Sequence, residues 1–335
     1  MSTQSATCEL NQLQPGQQGV FFALLSGKEL LTTRDGRPYY RVSFRDRLRE
    51  VSFPVWNDSP WFAPCRDQWR PGQCYKLLAT YRETEFGPQL DLHNIRPVVA
   101  EDRQAGFDPG RLVPVASRPG EEMYGELVDL IQRELTHPQL KQLVLWLLER
   151  HREQLLFWPG ASRVHHAYIG GWLEHVLSVA ENALFLADKY ARLHAGRQPA
   201  INRDLVLAGA VLHDIGKLRE LAANWAGAEY TASGHLIGHV LQGRDMVREA
   251  AAQVPLEPEL LLQLEHIIVS HQRLPEWGAP KPPMTLEALL VHHADEIDAR
   301  VAIYYDILNQ DTSDSLVTGA KNILGQRLYK GPRPG

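Results

Sequence analysis

The apolar pattern of this chain changes period once, and the change falls at a stretch that can continue neither period. Up to about residue 100, short alternating or apolar runs at 19–25, 39–44, 51–56, 74–81 and 89–95 carry the two-residue period of strands. Glycine with proline or aspartate breaks them at 35–38, 70–72 and 86–88. Beyond residue 120 the apolar positions recur every three to four residues, over 121–135, 138–156, 171–194, 204–213, 235–251, 258–271 and 285–308. Asn202 reads as a helix cap and Pro138 suits a first helical turn. Between the two regimes stand Pro109, Gly110, Pro114, Pro119 and Gly120. The expected organisation is therefore an all-β domain over 1–100, a linker over 101–120, an all-α domain of about seven helices over 121–310, and a C-terminal tail over 311–335. A chain of 335 residues, 44% hydrophobic and 22% charged, is long enough for two globular domains.

Five short strands in so few residues suit a small barrel of the oligonucleotide-binding (OB) type, whose sheet face and loops often hold single-stranded nucleic acid. Tyr39, Tyr40, Phe44, Phe53 and Trp56 are candidate stacking surfaces, although most aromatics in a barrel this small form its core. From residue 28 to 49 the basic side chains Lys28, Arg34, Arg37, Arg41, Arg45, Arg47 and Arg49 outnumber Glu29, Asp35 and Asp46. Solubilising charge and a phosphate-tracking groove account equally well for that excess. The net charge of −5 excludes a global attraction to nucleic acid, so any binding is local.

Cys8, Cys65 and Cys74 form no CxxC pair and are too scattered for a disulfide framework or a thiolate zinc site. A reducing cytoplasm is expected. No segment approaches the roughly 18–20 apolar residues that span a bilayer, and the first residues lack a basic start followed by an apolar run.

Thirteen of the fourteen histidines follow residue 136, and several sit on apolar helical segments. Buried imidazoles need partners, since unpaired polar burial costs about 1–3 kcal/mol. Shared coordination of metal ions satisfies many of them at once. The run Val211-Leu212-His213-Asp214-Ile215-Gly216-Lys217 places an imidazole beside a carboxylate, with His175, His239, His266, His271 and Asp295 in comparable settings. Such a set, without thiolate, suits manganese, iron, cobalt, nickel or zinc, and its oxygen content leans toward manganese or iron. A pair of such ions can activate water and neutralise a phosphate, and Asp214, with two oxygens, is the natural bridge between them.

The order histidine, His-Asp, distal aspartate, met by His175, His213, Asp214 and Asp295, resembles the HD superfamily of metal-dependent phosphohydrolases. The strings Tyr168 to His175, Leu212 to Lys217, Tyr230-Thr231, Gly238-His239, Ser270-His271 and Glu276 to Lys281 are similar to the YhaM family of 3′-to-5′ exoribonucleases. The N-terminal turn Thr32 to Tyr39 is similar as well. That resemblance, over about residues 10–310, implies an N-terminal OB-fold barrel followed by an HD-domain helical bundle. It implies one metal on His175, His213, Asp214 and Asp295 and a second on His239 and His271, with His266 as an extra ligand. Asp214 and Lys217 become the catalytic pair, Lys217 facing the phosphate; the motif tips that role over neutralisation of a helix C-terminus. His166 or His165 is placed at the substrate, with a helix-start or loop role equally open. Arg34, Arg37, Tyr39, Tyr40, Phe44 and Trp56 are expected on the strand. Gln272 departs from the family where a second histidine often follows the one matched by His271, which puts the second metal in question. His235, one turn before His239, ranks below these, and His292 and His293 have no assigned role. Glu174 reads either as support for His175 or as a solvated helix residue.

The resulting expectation is a cytoplasmic Mn²⁺-dependent exonuclease on single-stranded RNA or DNA, able to form a homo-oligomer. The competing readings are a phosphohydrolase of a dNTP or cyclic dinucleotide, since a fold does not fix a substrate, and a non-catalytic nucleic-acid adaptor.

Overall fold

The computed structural model describes residues 7–85, 87–162, 164, 166–224 and 227–331. The chain divides into two compact units, residues 1–115 with 223–227, and residues 116–222 with 228–335.

The first unit is a curled antiparallel sheet. Its strands are β1 (Thr7–Cys8), β2 (Gln18–Thr32), β3 (Pro38–Arg45), β4 (Glu50–Trp56), β5 (Cys74–Thr84) and β6 (Gly87–Pro97), with the helix α1 (Phe62–Asp67) between β4 and β5. The ladder runs β4-β3-β2-β5-β6, and β1 adds to β2 in parallel. A register shift between Leu25 and Gly27 bends β2, so that 18–24 pairs with β5 and 24–32 with β3. One strand thus serves two halves of the sheet, and β4 comes to lie against β6. This strand order, with a helix after the third long strand, is the OB arrangement expected.

Inside the curl, Phe21, Tyr40, Val42, Phe44, Phe53, Trp69 and Tyr75 form one core. Tyr40 and Phe44, expected as stacking surfaces, are therefore core residues: the strand period sends 40, 42 and 44 inward and 39 and 41 outward. Two parts of the stretch expected as a linker also pack in this unit. Phe107 meets Phe22 edge to face at 5.2 Å, and Asp102 takes Arg96 at 2.6 Å and Lys76 at 3.3 Å.

The second unit is helical: α2 (Gly120–Glu134), α3 (Pro138–Arg150), α4 (Arg152–Leu155), α5 (Gly171–Leu193), α6 (Arg203–Leu212), α7 (Lys217–Glu220), α8 (Ala232–Leu236), α9 (His239–Ala251), α10 (Pro258–Ser270) and α11 (Leu286–Gln310). A hairpin of β7 (Leu221–Asn224) and β8 (Gly227–Tyr230) follows α7. Asn202 caps α6 by accepting from the Leu205 N–H at 3.1 Å, and Pro138 opens α3, as the sequence implies. Every residue of α6 from Leu205 to Leu212 is buried, because α5, α10, α11 and α3 all pack on it. A helix buried all round delivers its C-terminal residues into the interior, and those residues are His213 and Asp214. After residue 310 the chain returns on itself, with Leu328 and Thr318 buried and Lys330 on Asp311 at 2.8 Å.

Candidate metal centre

Gly216 fixes where the His-Asp pair sits. A Cβ there would stand 1.9 Å from the His239 carbonyl oxygen and 2.5 Å from the Gly243 nitrogen, so only glycine lets α9 close on the turn between α6 and α7. The indole N–H groups of Trp172 and Trp158 hold that turn by donating to the carbonyls of Asp214 and Lys217, at 3.0 and 2.9 Å. His175 arrives from α5, His239 from the start of α9, His271 from just past α10, and Asp295 from α11.

The two oxygens of Asp214 face two different groups. Oδ2 lies 3.5 Å from Nε2 of both His175 and His213, and Asp295 Oδ1 stands 3.3 Å from His175 Nε2. Oδ1 lies 3.4 Å from His239 Nε2 and 3.6 Å from His271 Nε2. His175, His213 and Asp295 form one cluster, and Asp214, His239 and His271 another, with ligand atoms in each within 4.8 Å of one another.

The outward nitrogens decide what the inward ones present. His213 Nδ1 lies 2.7 Å from the Ala210 carbonyl, His271 Nδ1 2.7 Å from that of Ile268, His239 Nδ1 2.9 Å from Glu220 Oε1, and His175 Nδ1 2.7 Å from Asp298 Oδ2. Carbonyls and carboxylates only accept, so each Nδ1 carries a proton and donates it. Four Nε2 atoms then turn toward two carboxylates in a buried space. His175 and His213 bring Nε2 to within 3.2 Å of each other, while Asp214 Oδ1 and His239 Nε2 have no hydrogen-bond partner. Nitrogen and oxygen donors so arranged fit divalent metal ions, and the Nδ1 partners are the supports that such ligands require.

Charge agrees with geometry. Burial pushes the His213 imidazole down to about 4. Burial alone would also lower His175, but hydrogen bonds to Asp214, Asp295 and Asp298 outweigh it and hold that ring well above its ordinary value. A potential that negative attracts any cation. Asp214 would be raised by burial, yet Lys217 and His213 hold it well below the carboxylate range. Lys217 is itself buried, its Nζ 2.5 Å from Asp214 Oδ2 and 2.6 Å from the Gly160 carbonyl oxygen.

Two expected participants, His266 and His166, lie outside the two clusters, although His166 groups with His175 and Asp298. His266, expected as an extra ligand, belongs to neither cluster; its Nε2 accepts from the Met284 N–H at 2.9 Å. His166, expected at the substrate, is buried with Nδ1 2.8 Å from the Tyr168 hydroxyl and Nε2 2.9 Å from Asp298. It therefore steadies Asp298, and Tyr168 in turn donates to Glu174, so that Glu174 supports His175 at a distance. His235 lies on the surface against Tyr230. His165 falls outside the described residues. Gln272 places Nε2 3.1 Å from His271 Nε2, beside the second cluster.

Asp298 and Glu220 are the participants that sequence reasoning missed. Asp298 follows Asp295 by one helical turn on α11, and that i+3 spacing is the signal that could have found it. Glu220 has no comparable signal, because it stands 19 residues before the His239 ring that it meets.

On the first unit, Tyr39 and Trp56 pair across β3 and β4 with ring centroids 4.9 Å apart, and Trp56 is 46% exposed. Arg34 and Arg37 occupy the exposed turn before β3, Arg37 beside Asp35 at 3.1 Å, and Arg41 lies on the same outward face as Tyr39.

A family profile described as "HD domain" matches residues 172–300. The chain is 29% identical to the 3′-5′ exoribonuclease YhaM of Bacillus subtilis (strain 168) over 288 residues, covering 85% of this chain and 86% of that one. To the protein of the same name from Geobacillus sp. (strain WCH70) it is 28% identical over 286 residues, covering 85% and 83%. Among solved structures, a domain of replication protein A from Methanococcus maripaludis matches 28% of this chain and 94% of its own, at 12% identity and a TM-score of 0.22. Residues 172–300 thus match the HD-domain profile, in a chain that resembles the YhaM exoribonucleases over 85% of its length.

Proposed function

We propose that the protein is a metal-dependent 3′-to-5′ exonuclease that hydrolyses single-stranded RNA to nucleoside 5′-monophosphates. The observation that carries this reading is the two-faced Asp214, which offers one oxygen to His175 and His213 and the other to His239 and His271. His175, His213, Asp214 and Asp295 would hold one divalent ion, and Asp214, His239 and His271 a second. Such ions polarise phosphate oxygens and lower the pKa of an attacking water. The protein's own part is orientation: Asp298, Glu220 and the carbonyls of Ala210 and Ile268 hold the Nδ1 protons and aim every Nε2 inward. Lys217, held on Asp214 Oδ2 and the Gly160 carbonyl, adds a fixed positive charge beside the ligand set, where a phosphate would feel it. Nitrogen and oxygen donors without thiolate suit manganese, iron, cobalt, nickel or zinc, and the carboxylates of Asp214 and Asp295 are the reason for taking Mn²⁺ first.

The half-buried Tyr39 paired with the exposed Trp56, with the exposed Arg34 and Arg37 in the turn before β3 and Arg41 on the same strand face, supports single-strand binding by the first unit. Three free cysteines, two of them buried, agree with a cytoplasmic enzyme. No helix among the described residues is long and apolar enough to cross a membrane. Leu286, Leu289, Ile297, Val301 and Tyr305 are exposed along α11 and support a homo-oligomer.

Chromatography of the products tests the substrate class. With Mn²⁺, single-stranded RNA is to yield nucleoside 5′-monophosphates. Turnover of deoxynucleoside triphosphates or cyclic dinucleotides with RNA left intact would replace this reading by the small-nucleotide one.

A further inference from the structure

Apart from the groups around His175 and Asp214, another set of ligand-type side chains lies on α11. His292, His293 and Glu296 bring Nε2, Nδ1 and a carboxylate oxygen to within 4.8 Å of one another. Glu296 Oε2 is 3.7 Å from His292 Nε2 and 3.6 Å from His293 Nδ1. The spacing explains the meeting, since i, i+3 and i, i+4 side chains share a helix face.

His292 makes this more than a chance surface cluster. It is only 2% exposed, and its Nδ1 donates to the His271 carbonyl oxygen at 2.7 Å. That bond leaves a lone pair on Nε2, which is buried without a hydrogen-bond partner and turned toward a carboxylate. A lone pair facing an anion in a buried place asks for a cation between them. An imidazole whose second nitrogen is anchored to a backbone carbonyl is also the usual form of a metal-binding histidine. The other Glu296 oxygen, Oε1, takes Arg300 at 3.1 Å, which leaves Oε2 to the imidazoles. The His293 side chain is 47% exposed and gives an ion access from solvent.

We infer that His292, His293 and Glu296 form a separate divalent-metal site of the zinc class, with water completing the coordination. Two imidazoles and one carboxylate are a common zinc set, with bonds of about 2.0–2.2 Å. An ion there fixes the His292 ring, and through the His271 carbonyl it pins the turn that carries a candidate ligand of the second cluster. The site is therefore a structural brace on the HD domain and is independent of the substrate cleaved.

Zinc counting tests it. The untagged full-length chain, saturated with Zn²⁺ and freed of loosely held ions, is to contain one more zinc per chain than Glu296→Gln or His293→Ala. Both substitutions lie on the solvent side of the group, and circular dichroism checks their folding. Anomalous diffraction at the zinc edge from wild-type crystals gives a reading that needs no variant, with a peak expected between His292 Nε2 and Glu296 Oε2. Equal zinc content in all three folded proteins, or no peak at that position, overturns the assignment.

Discussion

Asp214 concentrates the chemistry of the second unit because each of its oxygens has a separate histidine pair to serve. Most of its neighbours are legible in the sequence, since the His-Asp step gains meaning from the other histidines that recur on apolar helical segments. Asp298 is not, because an aspartate one turn after a ligand reads as a solvated helix residue until the ring it faces is known. Its contact of 2.7 Å with His175 Nδ1 gives it a measurable role. Asp298→Asn is expected to weaken ion affinity roughly 10–100-fold, as loss of a ligand's hydrogen-bond partner does. Calorimetric titration of wild type and variant with Mn²⁺ checks this; unchanged affinity would remove Asp298 from the site. Tyr40 and Phe44 teach the converse lesson. Their parity with Val42 already places them opposite Tyr39 and Arg41, so the period that identifies the strand also separates core from surface.

At the scale of elements, the long helices and strands are readable from period alone, and the short pieces are not. The helices α1, α7 and α8 and the hairpin strands β7 and β8 span four to six residues each, too few for a period to register. Their positions follow from packing, as at Gly216, where α9 comes so close that no side chain fits. Gly216→Ala is expected to cost roughly 3 kcal/mol, the upper range of overpacking, and to reduce ion binding with it. Denaturant unfolding reads the first effect, and a variant as stable as wild type would contradict the close approach. Asp102 anchors the short helical turn at Ala100–Arg103 to β5 and β6 through Lys76 and Arg96. The Arg96 guanidinium holds its carboxyl well below the usual carboxylate range. A lowered carboxyl contributes stability above its unfolded pKa, near 4, and loses it as the pH falls toward the folded value. Asp102→Asn is therefore expected to cost roughly 2 kcal/mol at pH 7, less than a fully buried pair because Arg96 is half exposed. That difference narrows in unfolding curves below about pH 4. A deficit that stayed constant with pH would show that charge is not its source.

For the whole molecule, the proposed division of labour rests on two compact units with different chemistry, a curled sheet bearing the exposed Trp56 and arginines and a helical unit bearing the His/Asp clusters. Trp56→Ala is expected to weaken single-stranded RNA binding by about 1–3 kcal/mol while leaving the fold intact, because the ring stands outside the core. Replacing Arg34 and Arg37 by alanine is expected to lower the slope of log affinity against log salt by about 0.7 for each phosphate no longer neutralised. Fluorescence anisotropy at several salt concentrations separates the two effects, and affinities unmoved by all three changes would place the strand elsewhere. The boundary between units is the least readable feature, since the prolines and glycines of 98–120 mark irregular backbone without saying which side it packs on. The central claim, that the cluster around Asp214 hydrolyses RNA from its 3′ end, is tested most directly with 5′-labelled single-stranded RNA and Mn²⁺, resolved on a gel. Wild type is predicted to give a ladder shortening from the 3′ end that disappears with a chelator and in Asp214→Ala. The same ladder from a folded Asp214→Ala protein, or intact RNA with ion-loaded wild type, would contradict the account.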